Sequence, residues 1–449
     1  MTSFDLKGGG MKQTNWVSWS ADDIFEFIMD LDSDEKIKVV RELLEDWPDL
    51  EIDAMELIDE LRYDLIFLDR TSELEDLVKN YQNNFPGSYE NEFEFTERDL
   101  ITYHLFRNNN EKVMERLYYV MKNPVEGVDN VTIRALFQLI FYKHNALALE
   151  YARTVWKPLL ESKEIWGPAH LPFIMVLYLN ALEEAWSKVR LGKTIDWKEW
   201  LNQLEDIGIS REATDFTTIQ KALISDFDRE EIDALIRNGR QEEINLVLNI
   251  HFLKFMKDRH NVPFILSDSW WNMLGGKGLF GKKGRREGYF NISFDRLIKQ
   301  FDEHYDFLLR SNELEMFGRA FGIRYVYHFL GEKGLIQGEF KENMRKHIDA
   351  LEYMFERLSS DDLWQMTYIF EWPDIGQLDQ ERRRIFNSTF ALDERDYEED
   401  LEDWLDKKFK GFSDEIKKNL EVTLKDAQMD DFSDSFLDLQ EDAEDELPW

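Results

Sequence analysis

The sequence predicts an all-α protein: an irregular helix-pair α-solenoid or elongated helical bundle, with an acidic, partly disordered C-terminal tail. Three observations predict it. Apolar residues recur at helical spacing along most of the chain. Short polar turns rich in Asn, Gly and Pro separate these stretches. No βαβ alternation occurs anywhere. The 449 residues exceed one ordinary core, so several domains or one extended array are expected. With 43% hydrophobic and 14% aromatic residues, the chain has ample apolar surface for a packed interior.

The elements follow in order. Ser20 precedes Asp22 and Asp23, a capping residue and two acids suited to a helix N-terminus, and Ile24, Phe25, Phe27, Ile28 and Leu31 then form an apolar face. A second helix covers 34–46 with Ile37, Val40, Leu43 and Leu44 inward. Trp47-Pro48 ends it, because a residue before proline disfavours the α region. Helices over 52–68 and 73–81 lead to the turn Asn83–Gly87. Thr96-Glu97-Arg98-Asp99 reads as the cap of a helix over 100–106. Three asparagines at 108–110 turn the chain into 111–121, which Asn123-Pro124 closes. Helices over 131–142 and 146–160 pair about the turn 143–145, and 171–189 follows. Further helices are expected over 215–224, 228–236, 242–257, 294–309, 312–330, 340–358 and 361–370, with a short one bearing Trp197 and Trp200.

In the pair 131–160, Ala146, Ala148 and Ala152 face the large residues Leu136, Leu139 and Ile140. Close antiparallel helix pairs need small against large, and in this the chain resembles tetratricopeptide- and HEAT-like (TPR/HEAT-like) repeats in architecture. The period of about 34 residues and its Trp, Leu-Gly and Tyr spacing do not recur. Four sections result: a flexible leader 1–19, an N-terminal helical-repeat region 20–190, a second helical region 191–390, and an acidic section 391–449.

The net charge of −37 argues against nucleic-acid binding by the bulk of the chain, since phosphate contacts need a basic face. It fits a cytoplasmic protein kept soluble by self-repulsion, or one that meets a partner with basic surfaces. Without cysteine, disulfides, a thiolate nucleophile and Cys-type zinc sites are excluded. The opening residues carry no apolar run of the secretory kind, and the window Leu171–Leu182 falls short of the roughly 20 residues that span a bilayer, so no membrane role is expected. From Asp393 to Trp449 there are 22 acidic against seven basic residues, a net −15. Its end interleaves Phe432, Phe436, Leu437 and Leu439 with acids, a pattern able to dock an amphipathic turn on a partner.

Against this acidic background stands Gly275–Gly288, GGKGLFGKKGRREG, with Lys277, Lys282, Lys283, Arg285 and Arg286 against one acid. Gly276-Lys-Gly-Leu-Phe-Gly281 satisfies the dinucleotide string G-x-G-x-x-G, but no strand precedes it and no helix start follows. It nearly satisfies a phosphate-binding P-loop, but Lys283 stands where Ser or Thr must bind magnesium. No cofactor is therefore expected. The segment reads as an exposed docking or cleavage loop. Trp270-Trp271 immediately precedes it; two adjacent tryptophans facing one core conflict, so one of them is expected at the surface, stacked with Arg285, Arg286 or a partner. The eight histidines are scattered without HExxH, and acidic pairs are inevitable among 92 acids, so no catalytic or metal residue is expected.

The expected function is a non-enzymatic interaction scaffold for protein partners, with Trp270, Trp271, Lys277, Lys282, Lys283, Arg285, Arg286, Phe432, Phe436 and Leu437 as contact residues. An alternative is an acidic regulator that inhibits a basic or nucleic-acid-binding partner and is switched at the loop. A lesser one is a metal-dependent hydrolase whose carboxylates are assembled by the fold.

Overall fold

The structure is a computed structural model that describes residues 16–375, apart from 30, 47–53, 68–69, 88, 90–93, 123–130, 162–168, 211–214, 275–288, 306–312 and 357–363. The described residues form seventeen α-helices, two 3-10 segments and no β-strand. The described residues are all-α. Two compact units partition it: Met1–Leu177 with Thr367–Glu371, and Tyr178–Met366 with Trp372–Trp449.

The first unit contains α1 (Ala21–Met29), α2 (Ser33–Asp46), α3 (Ala54–Phe67), α4 (Thr71–Asn84), α5 (Glu94–Phe106), α6 (Asn110–Lys122), α7 (Val131–Phe141), α8 (Asn145–Glu161) and the start of α9 (Leu171–Arg190). Ser20 caps α1 as its sequence foretells: its Oγ accepts the Asp23 N–H at 3.2 Å and donates to the Asp23 carboxylate at 2.6 Å. The apolar face of α2 is buried through Ile37, Val40, Leu43 and Leu44. The two helices of the expected small-against-large pair pack together, and Leu136, Leu139 and Ile140 of α7 and Ala148 and Ala152 of α8 are all buried. Ala146 is exposed instead. Lys143 takes the left-handed conformation (φ 61°) that turns α7 into α8. Tyr368 closes this end, its ring 5.0 Å from Phe141 and 5.5 Å from Tyr142.

One boundary differs in a way that matters. Thr96-Glu97-Arg98-Asp99 does not cap a helix at 100 but lies inside α5, with all four residues buried. A polar stretch is compatible with a helix interior where neighbouring side chains satisfy it.

The second unit contains the rest of α9, then α10 (Trp197–Asp206), α11 (Phe216–Ile224), α12 (Arg229–Asn238), α13 (Gln241–His260), α14 (Phe264–Leu274), α15 (Phe294–Tyr305), α16 (Glu313–Glu332) and α17 (Glu339–Glu356). Asp196, Asp215 and Asp228 cap α10, α11 and α12 by accepting backbone N–H groups at 2.8–3.1 Å. Gly239 ends α12 in the left-handed conformation at φ +69°, which glycine adopts without a Cβ penalty. The helix expected over 361–370 is a 3-10 segment, Trp364–Glu371. The core of this unit is α14 and α16 packed side by side, with α13 against α14 and α17 against α16. Both central helices are buried nearly all round and carry polar as well as apolar side chains into the interior. Among the described residues no helix is long and apolar enough to cross a membrane.

Candidate functional site

The basic residues Lys277, Lys282, Lys283, Arg285 and Arg286 lie outside the described residues, as do Phe432, Phe436 and Leu437 of the tail. The two stems of the basic segment are described, and both are built into the core of the second unit. The chain enters from α14, whose last residue Leu274 is fully buried. It re-emerges at Tyr289, Phe290 and Ile292, all buried. The Tyr289 hydroxyl bonds the Gln241 side chain at the start of α13. Asn343 of α17 clamps the backbone from both sides, donating to the Phe290 carbonyl at 3.2 Å and accepting the Ile292 N–H at 3.4 Å. The basic segment is thus held at both ends by packed, hydrogen-bonded structure.

The tryptophan pair corrects an expectation. Neither ring reaches the surface: Trp270 is 0% and Trp271 1% exposed. Successive residues of a helix point about 100° apart, and α14 has a partner helix on either side. Trp270 stacks on Tyr325 of α16 at 4.3 Å and lies 4.9 Å from Trp372. Trp271 meets Phe252 of α13 at 5.7 Å and Phe329 of α16 at 6.4 Å. Two adjacent tryptophans fit one core when a helix is sandwiched.

Beside them, Asp268 is buried on the same helix. Its carboxylate accepts from Asn249 at 2.8 Å and from Asn272 at 2.6 Å. Burial pushes its pKa up to about 6, against the two amides and Arg319, which favour the charge. Lys254 of α13 is another buried charge in this unit. Its Nζ donates to the carbonyls of Ala222, Leu223 and Ser225 at 2.9, 3.2 and 2.6 Å, and lies 4.6 Å from the Trp186 ring. The ammonium therefore supplies the donors that the C-terminal carbonyls of α11 lack. Lys254→Met keeps the stem and removes the donors, leaving carbonyls unsatisfied. We expect a loss of about 3 kcal/mol, read as a lower thermal midpoint of the second unit.

The densest charged cluster lies in the first unit, around α5. Arg62 of α3 and Arg98 approach the two oxygens of Asp99, each with its Nε at 2.8 Å. Glu97 receives the Tyr89 hydroxyl and, at 3.0 Å, Arg116 of α6. Arg116 also reaches Glu75 of α4 at 3.4 Å, and His104 and Lys112 meet that same carboxylate at 3.0 and 3.4 Å. Burial works against ionisation of Glu75, yet His104, Arg116 and Lys112 hold its pKa at about 2. Burial likewise opposes the charge on Asp99, but Arg98 and then Arg62 keep its carboxyl below the ordinary value. At Glu97 burial wins over Arg116 and raises the carboxyl. Asp99 and Glu97 are fully buried, so what this arrangement does chemically is tie α3, α4, α5 and α6 together through charge.

Sequence reasoning missed this network and Lys254. The signal was present as charges embedded in apolar runs: Arg134 within VTIRALFQLIF and Lys254 within NIHFLKFM. Among the described residues no group of three or more His, Asp or Glu side chains is placed to hold a metal ion. Comparison with protein-family models, with curated proteins and with solved structures finds no match to this chain.

Proposed function

We propose that the chain is a cytoplasmic, non-enzymatic interaction scaffold, built as an irregular array of helix pairs, with the basic segment 275–288 as its docking element. What supports this reading is the anchoring of the segment's two stems: buried Leu274 on one side, and Tyr289 and Phe290 with the Asn343 clamp on the other. Ordered stems lower the entropy a partner must take away on binding. The charge contrast adds to it, five cations within fourteen residues of a chain of net −37. Such a segment is a local target for an acidic protein surface, and the acidic remainder repels other anionic partners. The helix-array part of the reading draws on the order of packing. The main helix contacts are to the next one, two or three helices along the chain, as in arrays whose repeats touch their neighbours.

The test compares the full chain with a variant in which Lys277, Lys282, Lys283, Arg285 and Arg286 are all glutamate. Substitutions away from packed groups change stability little, so the thermal midpoint stays nearly the same. Affinity capture from the native host, read by mass spectrometry, is expected to lose its main protein partner in the variant. Capture of the same partners at the same yield would remove the docking role.

A further inference from the structure

Four histidines of the second unit have described side chains, and each one faces a cation. His251 of α13 is buried edge-on against Phe227 at 5.5 Å, with Lys254 and Lys333 as its charged neighbours. His260, at the end of α13, lies 6.0 Å from His328 of α16, and both rings rest on Phe255 at 6.0 and 5.8 Å. His260 Nε2 and His328 Nδ1 are buried without a hydrogen-bond partner. Arg259 is a charged neighbour of this pair, and Lys333 lies 6.0 Å from the same Phe255 ring. One carboxylate, Glu332, serves the group: Arg259 takes it at 2.8 Å and His328 Nε2 at 3.3 Å. His347 of α17 is fully buried, and neither of its nitrogens has a partner. Arg324 of α16 is the charge that faces it, and Lys346 beside it reaches the Ile292 carbonyl at 3.4 Å.

We propose that the second unit is an acid-responsive element: between pH 7.5 and 5.5 its α13–α16–α17 core opens, while the first unit stays closed. A proton added to His251 or His347 places a second cation in a buried site that already has one, and at the His260–His328 pair Glu332 offsets only part of the added charge, since Arg259 already takes the same carboxylate. Opening the core exposes the rings to water and removes that conflict.

The direction follows from linkage. Burial lowers all four histidines, His251 to about 3; neighbouring positive groups add to it at His251, His260 and His347, whereas at His328 the Glu332 carboxylate opposes burial ahead of Arg259. A histidine lowered by folding binds its proton more tightly in the open chain, so stability falls as pH drops below the ordinary value near 6.5. Each ring kept neutral shifts the opening equilibrium about tenfold per pH unit below that point. Asp268 works the other way, since its raised carboxyl takes up a proton in the folded state across the same window. In the first unit, His144 and His170 are lowered too, but both are partly exposed and can be protonated in place. The pairs of Glu75 and Asp99 hold there until the pH falls below the ordinary carboxylate range.

Hydrogen exchange of the full chain, read peptide by peptide and corrected for the intrinsic pH dependence of amide exchange, tests this. From pH 7.5 to 5.5, protection of 241–260, 313–332 and 339–356 is expected to fall about 25-fold or more, since the two most enclosed rings give about 100-fold and Asp268 takes back about fourfold. Protection of 54–67 and 94–141 should change far less. The variant H260Q/H328Q alters only the partly exposed pair, and should fold and show a smaller pH response. Equal loss of protection in both units, no loss in either, or an unchanged response in H260Q/H328Q would each overturn the proposal.

Discussion

Gly322→Ala is expected to cost the second unit about 3 kcal/mol or more, a fall of roughly 6–12 °C in its thermal midpoint, or to prevent its folding. The residue is in the middle of α16, where alanine is intrinsically the better helix former by about 1 kcal/mol. Sterics reverse that preference. A Cβ at 322 would sit 1.9 Å from Trp270 Cδ1, 2.1 Å from Cγ and 2.4 Å from Nε1, so the indole lies flat on the glycine. The ring has nowhere to go, with Tyr325 stacked at 4.3 Å and Trp372 at 4.9 Å. Tyr325 is itself fixed, since its hydroxyl donates to the Pro373 carbonyl at 2.7 Å. Gly331→Ala on the same helix is the control. Its Cβ would meet Phe340 at 3.5 Å, an ordinary contact, so that variant should be neutral or slightly more stable. Thermal melts of both variants check the pair. If the steric account holds, Trp270→Ala combined with Gly322→Ala should be less damaging than the two single losses added together. A melt of Gly322→Ala equal to the unaltered chain would contradict the packing of α14 on α16.

Much of the fold was legible because it is local. Ser20 with Asp23 and the asparagines before α6 act within a few residues, and each performs the expected role. What was not legible is pairing across the chain. Arg62 and Asp99 lie on different helices, and neither predicts the other. Read locally, Thr96-Glu97-Arg98-Asp99 is a good helix start; it becomes helix interior only because Arg62 and Arg116 arrive from α3 and α6. The tryptophan pair failed for a related reason. An exposed member follows if α14 has one packed face, and the helix has two. The candidate docking segment is visible in composition alone, whereas its anchoring through Asn343, more than fifty positions further on, needed the structure.

Asp99→Asn should destabilise the first unit by about 3–5 kcal/mol, because it leaves buried guanidinium groups without their anion. Asp99 is fully buried, and its carboxylate stands between Arg62 and Arg98, with Arg134 as a further positive neighbour. The amide keeps shape and volume, so packing is not the cause of the loss; the cause is uncompensated positive charge in a poorly screened interior. The Arg62 Nε–Asp99 Oδ2 approach is not aligned as a hydrogen bond, which makes this contact chiefly coulombic and the carboxylate charge its main contribution. The pH dependence separates this from a lost hydrogen bond. Folding lowers the Asp99 carboxyl, so its stabilisation is complete above the ordinary value near 3.8 and vanishes as pH falls through the folded value. Urea melts at pH 7 should therefore show the full deficit of the asparagine variant, and the deficit should shrink progressively as pH falls below the ordinary value. Arg98→Met together with Asp99→Leu replaces two of the charges with apolar volume and should recover part of the loss, since buried ion networks are often matched by well-packed hydrophobic groups. A deficit in Asp99→Asn that does not change between pH 7 and pH 3 would mean that geometry, not charge, holds α3 to α5.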